Sequence, residues 1–203
     1  MASARERLTL ARVAAALNAA VEPRLAPLIL MTDAERLSDP ASAARALPRG
    51  SAVIVRHMHA GTRAELARSL ANIARERGLK LLIANDPALA DRVEADGLHL
   101  SEARAREAAH WRALRPHWLI TAAAHSARAI ACVSRADAVL LSPVFATGSH
   151  PERAALGPLR ARFIALGARI PVYALGGVNA HNSLRLSGAC FAGVAAISAL
   201  MLG

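Results

Sequence analysis

Eight short apolar runs, separated by helix-forming sequence, constrain this fold more than anything else in the chain. They are Leu28-Ile29-Leu30-Met31, Ala52-Val53-Ile54-Val55, Leu81-Leu82-Ile83-Ala84, Gly97-Leu98-His99-Leu100, Trp118-Leu119-Ile120-Thr121, Ala138-Val139-Leu140-Leu141, Val172-Tyr173-Ala174-Leu175 and Gly193 to Ile197. Each is continuous rather than alternating, as expected of parallel strands buried on both faces. No long linker and no shift of composition divides the 203 residues, which read as one domain over 1–203. Right-handed strand–helix–strand crossovers repeated eight times predict an α/β fold, a closed (β/α)8 TIM barrel. A doubly wound open sheet is the alternative.

The segments between the runs carry helix signals. Thr62-Arg63-Ala64-Glu65 reads as a capping box, with Leu66, Leu70 and Ile73 as the inner stripe and Gly78 as the stop. Asp39-Pro40 and Asp86-Pro87 each pair a cap with a first-turn proline, and Ser126 caps the helix after strand five. Ahead of the first strand, Leu10, Val13, Ala14, Leu17 and Val21 form a helical stripe. The chain ends at Gly203, which leaves an eighth helix missing or very short and one seam of the barrel uncovered. The N-terminal helix, or a partner subunit in a homo-oligomer, is expected to cover part of that seam. The longest non-helical connection, Ser142 to Pro158, follows strand six and reads as a substrate lid or wall.

Composition removes several classes. No apolar run approaches the ~18 residues of a membrane span, and Arg12 and Asn18 interrupt any signal-peptide core. A cytoplasmic protein is expected. The formal charge is +10, almost all of it arginine, yet the arginines are scattered along the helices and aromatics make up only 3%. A solvated arginine-rich surface explains this better than nucleic-acid binding, and its field also favours an anionic small substrate. Cys132 and Cys190 sit among small apolar residues and read as two buried thiols, with no metal spacing between them. The lone lysine, Lys80, opens a strand at the bottom of the barrel, away from any chemistry.

Two strand ends suggest a ligand. Tyr173-Ala174-Leu175-Gly176-Gly177-Val178 ends in paired glycines, and Gly193-Val194-Ala195-Ala196-Ile197-Ser198 ends in a serine. Small residues there leave backbone N–H groups open, and the loops after strands seven and eight of such barrels commonly hold a phosphate. The glycines also suit a tight turn of positive φ, which is compatible with that use.

In order along the chain, these strand ends resemble the thiamine phosphate synthase family and its relative TenI, the thiazole tautomerase. Leu30-Met31-Thr32-Asp33 resembles the family's "ITD", and Ile83-Ala84-Asn85-Asp86 its "IIND". Ala95-Asp96-Gly97-Leu98-His99-Leu100 is similar to "GADGVHL". Ala136-Asp137 through Ser142-Pro143-Val144-Phe145-Ala146-Thr147 is similar to "ADYVGxGPVFPT". Pro171 to Val178 resembles "PVVAIGGI", and Gly193 to Leu200 resembles "GVAVVSAI". Six pieces in register carry the resemblance, and it implies a barrel of thiamine biosynthesis that binds a thiazole phosphate. The synthase joins hydroxymethylpyrimidine diphosphate to thiazole phosphate with Mg²⁺; the tautomerase moves protons on a carboxythiazole phosphate and needs no cofactor.

Residue by residue, the two activities separate. The synthase's Gln-x-Arg-Glu-Lys is here Ile54-Val55-Arg56-His57-Met58, so only Arg56 remains. After the strand-four motif the synthase has a second Mg²⁺-ligating aspartate; here Ser101-Glu102-Ala103-Arg104 puts an arginine there, and a cation cannot replace a carboxylate on a hard metal. The strand-five serine is Ala123 and the lysine of the sixth loop is His150. The resemblance therefore favours a TenI-like tautomerase or diverged paralogue over a synthase, with a non-catalytic ligand-binding barrel as a further alternative.

Ala123-Ala124-His125-Ser126 is similar to TenI's "SVHS", which makes His125 either the acid–base group, since histidine's ordinary pKa of ~6.5 suits proton shuttling, or a histidine that packs before the Ser126 cap, as the resemblance to synthases also implies. By resemblance Asn85, Thr147, His150, Gly176, Gly177, Ile197 and Ser198 bind substrate. Arg56 either holds a carboxylate or phosphate or forms an outward salt bridge. Asp86 is either a metal ligand or the cap before Pro87. His57, His59, His99 and His150 lie near the same face, but no i,i+4 pair supports a zinc or iron site, and His99, between Leu98 and Leu100, fits a hydrogen-bonded interior position.

Overall fold

The computed structural model describes residues 2–56, 60–147, 154–188 and 190–201. Eight parallel strands close into a barrel in chain order, with β8 pairing back onto β1 through Leu28 and Val194. The strands are β1 (Leu28–Met31), β2 (Ala52–Val55), β3 (Lys80–Ala84), β4 (Gly97–Leu100), β5 (Leu119–Ala124), β6 (Ala138–Leu141), β7 (Val172–Ala174) and β8 (Gly193–Ala196). Closure rules out the open-sheet alternative. Four strands match the apolar runs residue for residue. The fifth runs on to Ala124, since Ala122 to Ala124 fit a packed strand although alanine signals none.

Helices α1 (Ala4–Val21), α2 (Pro40–Arg45), α3 (Ala60–Arg77), α4 (Pro87–Arg92), α5 (Ala108–Leu114), α6 (Ala127–Ala131) and α7 (Pro158–Leu166) lie outside the strands. The aspartate and serine caps form as expected: Asp39 accepts from Ser42 N, Asp86 from Leu89 N and Ser126 from Ala129 N. The Thr62 box does not start its helix, which begins two residues earlier at Ala60 and ends at Gly78 with φ 64°. The seventh crossover holds only one 3-10 turn, Ser183–Leu186, and another, Ser198–Leu200, follows β8 in place of an eighth helix.

Period-two alternation sorts the strands' side chains into two cores. Leu28, Leu30, Val53, Val55 and Ile83 point outward against the helices. Ile29, Ile54, Leu82, Leu140 and Tyr173 fill the barrel, and the Tyr173 hydroxyl donates to Ala26 O at 2.6 Å near the bottom. The seam beside β8 is covered by α1, which buries Leu10, Ala14 and Leu17. Its buried Asn18 amide donates to Glu22 O, Leu25 O and Ala192 O, fastening the end of α1 to the entry of β8. Lys80 stands exposed at the bottom and pairs with Asp96. Cys190 is buried, but Cys132, which follows the short α6, is exposed.

Candidate active site at the top of the barrel

The inward alternation continues past the strand ends and lifts a ring of functional side chains to the C-terminal face. Ile29 and Met31 lead to Asp33, Ala52 and Ile54 to Arg56, and Thr121 and Ala123 to His125. Ala138 and Leu140 lead to Ser142, Tyr173 and Leu175 to Gly177, and Ala195 to Ile197. Beneath this ring the interior residues are small, among them Ala84, Ala123 and Ala195. They leave a cavity of about 730 Å³.

Arg56, Asn85, His125, Thr147, Gly176, Gly177, Ile197 and Ser198 all line that cavity, so the barrel brings together nearly every candidate drawn from the sequence. His150 lies outside the described residues, as do His57, His59 and the central part of the Ser142–Pro158 loop. Asp86 does not line the cavity.

One end of the cavity is built from backbone. Gly176 and Gly177 have φ of 91° and 64°. A Cβ on Gly176 would meet Pro143 Cα at 2.8 Å, and one on Gly177 would run into the Ala146 and Phe145 carbonyls. The glycines thus let the β7 loop lie directly on the β6 loop. Carbonyls of this loop are turned toward protein: Gly176 O accepts from Phe145 N at 2.9 Å and Gly177 O from Asn182 Nδ2 at 2.8 Å. Among the described residues, the Gly177 and Ser198 N–H groups have no backbone acceptor. That is the donor arrangement an anion needs.

A cationic group lines the cavity from the loops after β1 and β2. Arg56 donates to Asp33, and Arg36 donates to the same Asp33 oxygen at 2.7 Å. Burial by itself would raise the Asp33 pKa, but the hydrogen bond and charge of Arg36, with the charge of Arg56, hold it down at about 2. Two guanidiniums thus converge on one carboxylate oxygen. Arg56 is therefore salt-bridged, yet inward rather than outward, and its Nε is buried without a partner among the described residues. The part played by Arg36 was not legible in the sequence, where Asp33-x-x-Arg36 looks like an ordinary turn.

His125 lines the same cavity from the end of β5. Its ring Nδ1 is 2.7 Å from Ser142 O and 3.2 Å from Ser142 Oγ, and its backbone N donates to Glu102 Oε2 at 2.6 Å. His99 is the deeper imidazole, 4% exposed, with Nδ1 2.9 Å from Thr121 Oγ1. Burial first, and then the charge of Arg56, push its pKa down to about 4, so it is a neutral floor residue. The rim gains Ala2 and Glu6 of the N-terminal segment, where Glu6 Oε1 lies 2.9 Å from His181 Nε2. No local motif marks that long-range pair.

The carboxylates around β3 and β4 do not suit a magnesium ion. Hard divalent cations need several oxygen ligands converging on one point. Asp86 spends Oδ1 on the α4 cap and Glu102 spends Oε2 on His125 N. Arg104 stands where the resemblance puts the second carboxylate, and its guanidinium bonds Asn85 O and Glu107. Among the described residues no cluster of three or more His, Cys, Asp or Glu is placed to hold a metal. Among the described residues no helix is long and apolar enough to cross a membrane.

Comparison with known proteins agrees with the barrel fold. A family model described as thiamine monophosphate synthase matches residues 27–200. The chain is 32% identical over 158 residues to thiamine-phosphate synthase of Chloroflexus aurantiacus, covering 75% of this chain and 73% of that protein. It is 34% identical over 116 residues to putative thiamine-phosphate synthase 2 of Aquifex aeolicus, covering 56% of this chain and 62% of that protein. Among solved structures, a thiamine phosphate pyrophosphorylase from Pyrococcus furiosus superposes with a TM-score of 0.67 at 22% identity, covering 90% and 88% of the two chains. These relatives are named for the synthase reaction rather than the tautomerase.

Proposed function

The chain belongs to the thiamine monophosphate synthase family, and from that premise we propose that it is an enzyme that binds a thiazole phosphate in the top cavity and moves a proton on its ring. The phosphate sits against the Gly177 and Ser198 N–H groups. A ring carboxylate faces Arg56 and Arg36, whose planar guanidiniums match it. Both anion-binding groups line the one cavity that would hold such a substrate.

The observation that carries the reading is the short contact between His125 Nδ1 and the Ser142 carbonyl, from which the tautomer follows. The Ser142 carbonyl can only accept, so the nitrogen 2.7 Å from it, Nδ1, carries the hydrogen. Nε2 of the neutral ring then holds the lone pair. That nitrogen can take a proton at one carbon of the bound ring and return it at another, while Nδ1–H on the Ser142 carbonyl steadies the imidazolium between the two transfers. Nothing in this sequence needs a metal or an organic cofactor.

The names of the relatives favour a second reading, the joining of hydroxymethylpyrimidine diphosphate to thiazole phosphate. In this family that reaction draws on Mg²⁺ to offset the charge of departing pyrophosphate. Assaying both reactions on one preparation separates them. We expect aromatisation of the carboxythiazole phosphate tautomer and no thiamine phosphate, with or without Mg²⁺. Magnesium-dependent thiamine phosphate formation would reject the tautomerase, and tight thiazole phosphate binding with neither reaction would select a non-catalytic barrel.

A further inference from the structure

At the corner between β3 and β4 an arginine stands where the family resemblance puts a carboxylate, and it makes a cross-link. We propose that Arg104 is a positioning residue that ties the β3–α4 loop to the segment after β4, as a bound ion would, and that its charge keeps divalent cations out of this corner. The proposal stands on geometry and not on the reaction assigned above.

Arg104 is held on three sides. Nη1 donates to Asn85 O at 2.6 Å, while Nε and Nη2 reach the two Glu107 oxygens at 2.7 Å each. Glu107 is itself fixed by Trp111 Nε1 at 3.2 Å. The fork is the bidentate arrangement that a planar guanidinium makes and an ammonium does not. At the other end is Asn85, a cavity-lining residue in the left-handed region at φ 56°. Its N donates to His99 O at 2.9 Å and its Oδ1 accepts from Ser101 N at 2.8 Å. The Arg104 bond to its carbonyl adds a third anchor, so N, O and Oδ1 of this left-handed residue are all held.

Charge supports the second half. Arg104 lies close enough to Asp86 for the two to attract. A divalent ion on Asp86 would meet a fixed positive charge and at most one uncommitted carboxylate oxygen. The neighbouring cationic wall of Arg56 and Arg36 gives an anionic substrate group its countercharge without an ion.

Two measurements without substrate test this. Mn(II) titration followed by electron paramagnetic resonance reads the cation site in wild type, Arg104→Asp and Arg104→Lys. We expect no stoichiometric Mn(II) in wild type or Arg104→Lys, and binding tighter by about tenfold or more in Arg104→Asp. Amide hydrogen exchange at Asn85 and Ser101 reads the tie. It should quicken in Arg104→Met and Arg104→Lys, which lack the fork, with no recovery on adding Mg²⁺. Stoichiometric Mn(II) in wild type that vanishes in Asp86→Asn would overturn the exclusion. Failure of Arg104→Asp to bind would remove Arg104 as its cause, and unchanged exchange in Arg104→Met would remove the tie.

Discussion

His99 and His125 reach the same cavity from neighbouring strands, and burial gives them different uses. His99 stays neutral because its folded-state pKa, about 4, lies below the ordinary 6.5. The unfolded chain binds the extra proton, so this stability is complete above pH 6.5 and is lost as the pH falls from 6.5 to 4. A shift of that size corresponds to about 3 kcal/mol. Urea unfolding across that range should show the acid limb, and His99→Gln should flatten it; an unchanged limb would place the loss elsewhere. Gly177 gives a second prediction. Alanine there meets a φ of 64° and the Ala146 carbonyl, so Gly177→Ala should cost more than about 1 kcal/mol in thermal or urea melts and weaken phosphate binding. The glycine pair was legible as a turn of positive φ. Its contact with the β6 loop was not, because that neighbour lies some thirty residues earlier and leaves no local mark.

The elements were legible where local rules act alone. Continuous apolar runs gave the strands, and Asp39, Asp86 and Ser126 gave helix starts, since a cap is chemistry within four residues. Asp86→Ala should therefore cost about 1 kcal/mol in a urea titration. If Mn(II) affinity fell with it, Asp86 would be a ligand after all. Helix α3 starts ahead of its apparent box, and the seventh crossover shrinks to one 3-10 turn, because packing on the barrel overrides propensity there. Helix α1 was expected at the open seam and lies there. The lock that places it, Asn18 on the Ala192 carbonyl at 2.9 Å, joins residues 174 apart in sequence. Asn18→Ala strands those carbonyls and should cost about 1–3 kcal/mol by urea unfolding.

For the whole molecule, the fold was legible in the eight continuous apolar runs, and Arg56, His125 and Gly177 were legible through the strand ends and the family resemblance. Alternation along each strand, continued into its loop, is the reason the barrel brings them to one face. Ser142 and Glu6 matter through partners on other elements, and no spacing in the sequence announces them. The same barrel supports either reaction of the family, so the assignment turns on what the ring residues can do with a proton. Proton NMR of the carboxythiazole phosphate tautomer, mixed with wild type and with His125→Ala, measures that most directly. The account predicts conversion to the aromatic isomer by wild type, slowed at least about 100-fold in His125→Ala while that variant still binds thiazole phosphate. Equal conversion by both proteins, or none by wild type, would contradict it.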